Sequence, residues 1–395
     1  MGASVREALA AVRAAALRLR ERDPTEILEA VGDVLETWRD PASEVRARLA
    51  RELPAATGFS RPVVEHGLAL ALEPWTREAL RELWEREAGA GVIGFGTTAV
   101  LLAGAIPMPT LLALLAPLAL RSGVIARTAS RDPLTARVAA ESLRERDTDL
   151  ADALALVDFG HDDGDALAAF LSADCVVATG SDATVEAIAS QTRGQLVSRG
   201  HRLSVAVLGE DADLEAASEA LALDVALWDQ LGCLSPIAAY VVGGHATARR
   251  TSEALADALE RIDVALPRGT VPTDAAARVS HERTEAELRS AAGGNVALHT
   301  GRTWAVVTEA DAKPRSAPLH RFVRVHPVPD LAALADALAP YAAHLAAIGC
   351  AGVSLPSTYG ASRICPLGQM QAPPLAWRQD GIGTLEPLVQ SHRSG

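Results

Sequence analysis

Residues 91–120, GVIGFGTTAVLLAGAIPMPTLLALLAPLAL, run for thirty positions without a charged side chain. By length alone the stretch is a candidate transmembrane helix. Pro107, Pro109 and Pro117 interrupt it, however, and Gly94, Gly96 and Gly104 crowd its first half. It reads better as a buried strand, a Gly/Pro turn and a buried helix, which is how the core of a parallel α/β sheet looks in sequence. No other part of the chain offers a span, so no membrane span is expected.

The pattern on either side supports that reading. Residues 1–90 are helical, rich in Glu and Arg and punctuated by Pro24, Pro41, Pro54 and Pro74. Beyond them, short apolar runs alternate with helical stretches: 122–128, a helix over 133–146, 151–159, and a strand then a helix within 174–191. A second alternating block covers 202–230, 235–244, a helix over about 248–263, then 303–310 and 320–328. Strands alternating with helices predict parallel βαβ units. The fold class is therefore α/β, two doubly wound α/β lobes behind a helical N-terminal region. The last 35 residues, rich in Gly, Pro and Ser, read as an ordered tail.

Bulk composition narrows the function. With 395 residues the chain can bury a large core, and with 49% hydrophobic but only 4% aromatic residues that core is mainly Ala, Leu and Val. A net charge of −13 argues against a nucleic-acid partner. Cys175, Cys233, Cys350 and Cys365 form no CxxC pair, so neither a disulfide framework nor a zinc knuckle is expected. A reducing, cytoplasmic setting follows. The first residues form an amphipathic Ala/Arg helix without the apolar core of a signal peptide.

Among single residues, Cys233 stands out. In WDQLGCLSP (228–236) it lies between an apolar helix and a strand, flanked by Gly232 and Ser235-Pro236. That is a tight turn, where backbone N–H groups can favour a thiolate; a small buried hydrophobe is the alternative. Gly180-Ser181 follows the strand-like CVVAT and precedes a helix, a place where phosphate can sit, although Asp182 and Thr184 would serve equally as N-caps. Cys175 reads as core, Cys350 as following a helix in AAIGCAG, and Cys365 as inert. The cluster His161-Asp162-Asp163-Gly164-Asp165 has metal-like spacing but reads as a solvated loop or N-cap, and no metal is expected.

Several segments, in order, resemble the aldehyde dehydrogenase superfamily, and more closely its acyl-CoA reductase branch from bacterial luminescence. Ala103-Gly104-Ala105-Ile106-Pro107 is similar to an AGNVP turn, 124–133 (VIARTASRDP) to the branch's VLVKPSSRDP, and 177–184 (VATGSDAT) to its TGS turn. Gly200-His201-Arg202 and GEDADLEAA resemble the hinge before the nucleophile. Asp229-Gln230, Cys233 and Ser235-Pro236 match DQ-x-x-C-x-S-P, while 360–363 and 377–381 resemble the GxSR and WxxDG signatures. The resemblance implies an aldehyde-dehydrogenase-like fold, with a helical region and nucleotide-binding domain over 1–200. A catalytic domain would cover 201–355, and a tail over 356–395 would pack back on the cofactor domain or an oligomer interface.

It also implies a chemistry. Cys233 would take the acyl group from a thioester, and a reduced nicotinamide would then release an aldehyde. Arg127 stands at the position of the lysine that contacts the adenosine ribose, and Ser130 where an acidic residue favouring NADH would stand, with Arg131 next to it. The loss of a carboxylate and gain of a guanidinium favour NADPH over NADH. Gly180, Ser181 and Thr184 would complete the cofactor site. Hydrolytic relatives carry a Glu in ELGGK, and the matching 198–203 (SRGHRL) has none, as suits a reductase; His201 is a phosphate contact or a surface histidine. Two departures stand out. Ala105 replaces the asparagine that donates to the oxyanion, and 318–324 (PLHRFVR) lacks the Glu of EIFGP. An impaired relative acting as acyl acceptor or scaffold is therefore the alternative. The expected partners are acyl-CoA or an acyl carrier, an acyl-activating enzyme and further copies of the chain as a homo-oligomer.

Overall fold

In the computed structural model, which describes residues 4–89, 91–160 and 162–390, the N-terminal stretch forms α1 (Val5–Glu21), α2 (Pro24–Arg39), α3 (Glu44–Thr57), α4 (Arg61–Leu72) and α5 (Arg77–Glu87). Three starts are dictated locally. Ser4 and Glu7 form a capping box on α1, Asp23 caps α2 ahead of Pro24, and Thr76 caps α5. The chain then divides into two units. One contains residues up to Thr57, Ala71–His201 and those from Pro374 onward; the other contains Gly58–Leu70 and Arg202–Pro373.

The first unit adds β1 (Thr97–Leu101), α6 (Pro107–Ala119), β2 (Gly123–Arg127), α7 (Pro133–Arg146), α8 (Thr148–Asp152), β3 (Leu154–Val157), α9 (Gly164–Phe170), β4 (Cys175–Thr179), α10 (Asp182–Ala189) and β5 (Gln195–Arg199). Its sheet is all parallel, ordered β3-β2-β1-β4-β5, and winds both ways from β1. The uncharged 91–120 stretch thus supplies a buried strand, a turn in which Gly104 takes φ +86°, and a buried helix opened by Pro107. Among the described residues no helix is long and apolar enough to cross a membrane. Helix α1 lies so close to β2 that a Cβ on Gly123 would overlap the Val12 carbonyl. Residues from Pro374 onward return to this unit, where Leu385 N–H donates to Glu87 (2.8 Å) and Gln390 N–H to the Ile93 carbonyl (3.0 Å).

The second unit contains β6 (Leu203–Leu208), α11 (Leu214–Ala226), β7 (Pro236–Val242), α12 (Gly244–Ala265), α13 (Thr273–Ala291), β8 (Ala297–Thr300), β9 (Ala305–Thr308), β10 (Phe322–Val328), α14 (Leu331–Leu338), β11 (Leu345–Ala351) and β12 (Arg363–Pro366). The sheet order is β12-β11-β6-β7-β10-β9-β8, and only β8 runs antiparallel. Two expectations need correcting here. Cys350 does not follow a helix but lies within β11: LAAIGCA reads as helical because Ala is the best helix former, yet five of its seven positions are buried between β6 and β12. The tail does not begin at 356 either, because β12 pairs with β11 and keeps residues through Pro373 in this unit.

Candidate active site

The loop joining α11 to β7 carries Cys233, and three consecutive residues near its start are left-handed. Trp228, Asp229 and Gln230 have φ of 54°, 49° and 64°, a conformation that costs a non-glycine residue roughly 1 kcal/mol or more. Packing and hydrogen bonds hold it. The Trp228 indole meets Phe59 edge-on at 5.5 Å, and α4 passes over it at Gly67, where a Cβ would overlap the ring. That contact explains why most of α4 belongs to this unit.

Asp229 and Gln230 bind a second left-handed run, Leu319, His320 and Arg321 (φ 66°, 57° and 66°). Asp229 Oδ1 accepts from Arg321 Nε (3.1 Å) and Nη2 (2.8 Å), and Oδ2 from Gly269 N–H (3.0 Å). Arg321 also donates to the carbonyls of Ala226 and Leu266 and pairs with Asp263 at 3.1 Å. Burial pushes the Asp229 carboxyl up, while Arg321 pulls it back. The buried Gln230 amide donates to the carbonyls of Pro236 (2.8 Å) and Phe322 (3.0 Å) and accepts from Phe322 N–H (2.9 Å). It joins the first residues of β7 and β10 as a piece of backbone would.

Past this frame the loop is tied from below. Ser204 Oγ donates to the Cys233 carbonyl (2.7 Å), and Gln371 Nε2 donates to Ser235 Oγ (3.1 Å). The Cys233 residue itself is exposed. Pro236, Phe322 and Leu203 begin β7, β10 and β6, so the thiol lies at the N-terminal edge of the sheet. The other three cysteines are poor nucleophiles: burial pushes Cys175 and Cys350 to about 12 and Cys365 to about 11. Beneath the loop, burial raises the Asp224 carboxyl to about 7, although it accepts from the N–H groups of Gly368 (2.6 Å) and Met370 (3.1 Å).

The residues expected to hold a cofactor all lie in the first unit, in two groups. Arg127 ends β2; its Nε and Nη2 donate to the Phe159 carbonyl (3.2 and 3.0 Å), and its guanidinium lies over the Phe159 ring. Ser130 and Arg131 are exposed in the turn that follows. Asp132 is not a partner for Arg131, being buried and capping α7 through Leu134 and Thr135 N–H. The second group follows β4. Ser181, rather than Asp182 or Thr184, is the N-cap of α10: its Oγ accepts from Thr184 N–H (3.2 Å) and bonds the Thr184 hydroxyl (2.8 Å). Asp182 instead accepts from His201 N–H at 2.9 Å. Gly180 precedes them, and its position leaves Thr184 in van der Waals contact with any Cβ placed there.

Ala105 is buried after Gly104 and brings no side-chain donor. Of the acidic cluster, Asp163 caps α9 through Ala166 N–H (3.0 Å), and His161 lies outside the described residues. Among those residues no three potential ligands cluster as a metal site. The sequence reading missed Arg321, Ser204 and Gln371, which lie 92, 29 and 136 positions from their partners in the loop. For Arg321 and Arg324 a faint signal existed, since two arginines sit in the strand-like HRFVRVHPV.

A family model described as "Acyl-CoA reductase (LuxC)" matches residues 19–391. A long-chain acyl-protein thioester reductase of Aliivibrio fischeri is 26% identical over 242 residues, 60% of this chain and 50% of that protein. One from Vibrio harveyi is 28% identical over 239 residues, 59% and 49% of the two chains. The chain spans about half the length of the curated relatives it matches. Among solved structures, an oxidoreductase from Marinobacter aquaeolei superposes with TM-score 0.76 at 14% identity, covering 98% of this chain and 89% of that one. An NAD-dependent benzaldehyde dehydrogenase from Corynebacterium glutamicum gives 0.73 at 16%, covering 99% and 90%. At such identities these structures bear on the fold alone, which is that of the aldehyde dehydrogenases.

Proposed function

The chain belongs to the acyl-CoA reductase (LuxC) family, and from this premise we propose that it reduces an acyl thioester to an aldehyde through an acyl-cysteine at Cys233. The observation that carries the proposal is the contrast among the thiols. One is exposed on a loop fixed by buried polar contacts; of the other three, Cys175 and Cys365 are buried and Cys350 is half-buried, and all three have their ionisation suppressed. The Cys233 thiolate attacks the acyl carbonyl, the donor's C–S bond breaks, and the donor leaves as a thiol. No Glu lies in 198–203 to activate water against the acyl-enzyme.

The first unit suits a dinucleotide. Its strand order reverses between β1 and β4, and ligands of such sheets lie past the strand ends at that reversal. Gly180 and Ser181 follow β4, and Thr184 fixes Ser181. Arg127 would offer its remaining Nη1 donor to the adenosine ribose. Ser130 and Arg131 leave room and positive charge for a 2′-phosphate, so NADPH is preferred to NADH. When bound, NADPH supplies the hydride that converts the acyl-cysteine to an aldehyde and restores the thiol.

Relatives named as acyl-protein thioester reductases favour a carrier or partner protein as the donor, and the family description favours coenzyme A. Mixing the purified chain with NADPH and acyl-CoA of several lengths should consume NADPH, and Cys233→Ala should abolish that consumption. Ala105 favours a second reading, in which Cys233 accepts acyl groups without reducing them, because a missing oxyanion donor costs roughly 10² to 10³ in rate. A stable acyl adduct at Cys233 with no NADPH loss would establish that reading instead.

A further inference from the structure

The second unit has a concavity apart from the thiol loop, of about 170 Å³, lined by Arg268, Arg283 and Arg302 together with Ser280, Val271 and Val279. No carboxylate lines it. Other buried guanidinium groups in this unit are neutralised, Arg321 by Asp229 and Asp263 and Arg324 by Glu282 and Glu309, as is Arg289 by Glu285 and Glu309. Among the described residues, none of the three pocket arginines has a carboxylate at ion-pair distance. Arg268 donates to the Thr303 (2.7 Å) and His320 carbonyls, and Arg283 to the Trp304 carbonyl (2.7 Å). Carbonyls hold a guanidinium in place without cancelling its charge. The Nε atoms of Arg268 and Arg283 are buried and have no hydrogen-bond partner, so neither guanidinium has its charge offset there. Burial also pulls both groups below the usual arginine range; Asp229, Asp263 and Glu287 act on them only as neighbouring charges.

The pocket shares a sheet edge with the nucleophile loop. Arg302 and Thr303 precede β9, His320 precedes β10, and Cys233 precedes β7; these three strands are adjacent and parallel. Two strand spacings separate β9 from β7, about 10 Å. We propose that this pocket binds the phosphate of the acyl donor's thiol-bearing arm, a phosphate ester that coenzyme A and a phosphopantetheinylated carrier protein both carry. The identity of the donor rests on the thioester reading above, whereas the anion site does not. Planar guanidinium groups suit phosphate oxygens, and their charge is available because no acid consumes it.

Calorimetric titration of the whole chain with 3′,5′-ADP, pantetheine 4′-phosphate and inorganic phosphate tests this. Saturable binding of pantetheine 4′-phosphate is expected; 3′,5′-ADP, which lacks the arm and occurs only in coenzyme A, binds as well if coenzyme A is the source and does not if a carrier protein is. Arg302→Glu and Ser280→Glu alter exposed positions and should each weaken binding about tenfold or more. Cys233→Ala should abolish reduction but leave binding intact, so a failed reductase reading and a failed pocket give different results. Failure of pantetheine 4′-phosphate to bind, binding of inorganic phosphate only, or affinity unchanged from the wild type in both glutamate variants overturns the proposal.

Discussion

Residue by residue, the site depends on burial acting on ordinary side chains. Burial, complete at Cys175 and Cys365 and partial at Cys350, suppresses three thiols and leaves Cys233 as the exposed one. The same effect raises Asp224 to about 7, against roughly 3.9 in an unfolded chain. Between those values the folded chain holds a proton that the unfolded chain has lost, so stability falls as pH rises towards 7 and levels off above it. Urea unfolding of the wild type from about pH 5 to pH 8 should show that decline, and Asp224→Asn should flatten it; parallel curves would refute the assignment. Arg131 allows an equally local test. It is exposed with Asp132 committed to capping α7, so Arg131→Ala should weaken NADPH by about tenfold while barely changing NADH. Equal losses in fluorescence titrations with the two cofactors would remove the basis for preferring NADPH.

At the scale of elements, two left-handed runs, 228–230 and 319–321, hold each other across the start of β7 and β10. Neither is favourable alone. Their joint hydrogen bonds and the buried Asp229–Arg321 pair make the arrangement the lowest state available to the loop. Gln230→Leu would leave the Phe322 N–H and the Pro236 and Phe322 carbonyls without their partner. We expect it to lower unfolding free energy by roughly 2–5 kcal/mol and to slow Cys233 alkylation or acylation in the fraction that remains folded. Unchanged urea unfolding and unchanged thiol reactivity would show that the loop does not depend on this frame. The DQ of this segment was legible in the sequence as part of a motif, but its function was not, because its partners lie 92 positions away.

For the whole chain, what could be read directly followed from local rules. Alternating strand and helix patterns, the Pro/Gly breaks in 91–120 and the turn residues around Cys233 indicated two α/β units, a buried strand–turn–helix instead of a membrane span, and Cys233 at an element junction. These features depend on periods of two and 3.6 residues and on turn chemistry, all contained within a few neighbouring positions. Four further features required the assembled sheets. β11 is a strand although its Ala-rich sequence favours helix, and the tail enters the second sheet as β12. Arg321 finds Asp229, and three arginines gather in one pocket without an acid, against a net charge of −13. The sequence by itself determined which segments are strands or helices wherever local pattern and propensity agree, and which thiol lies in a turn. Only the tertiary structure decided which charges pair, which stay uncompensated and which thiol water reaches, because burial and strand order bring together residues that no local period relates.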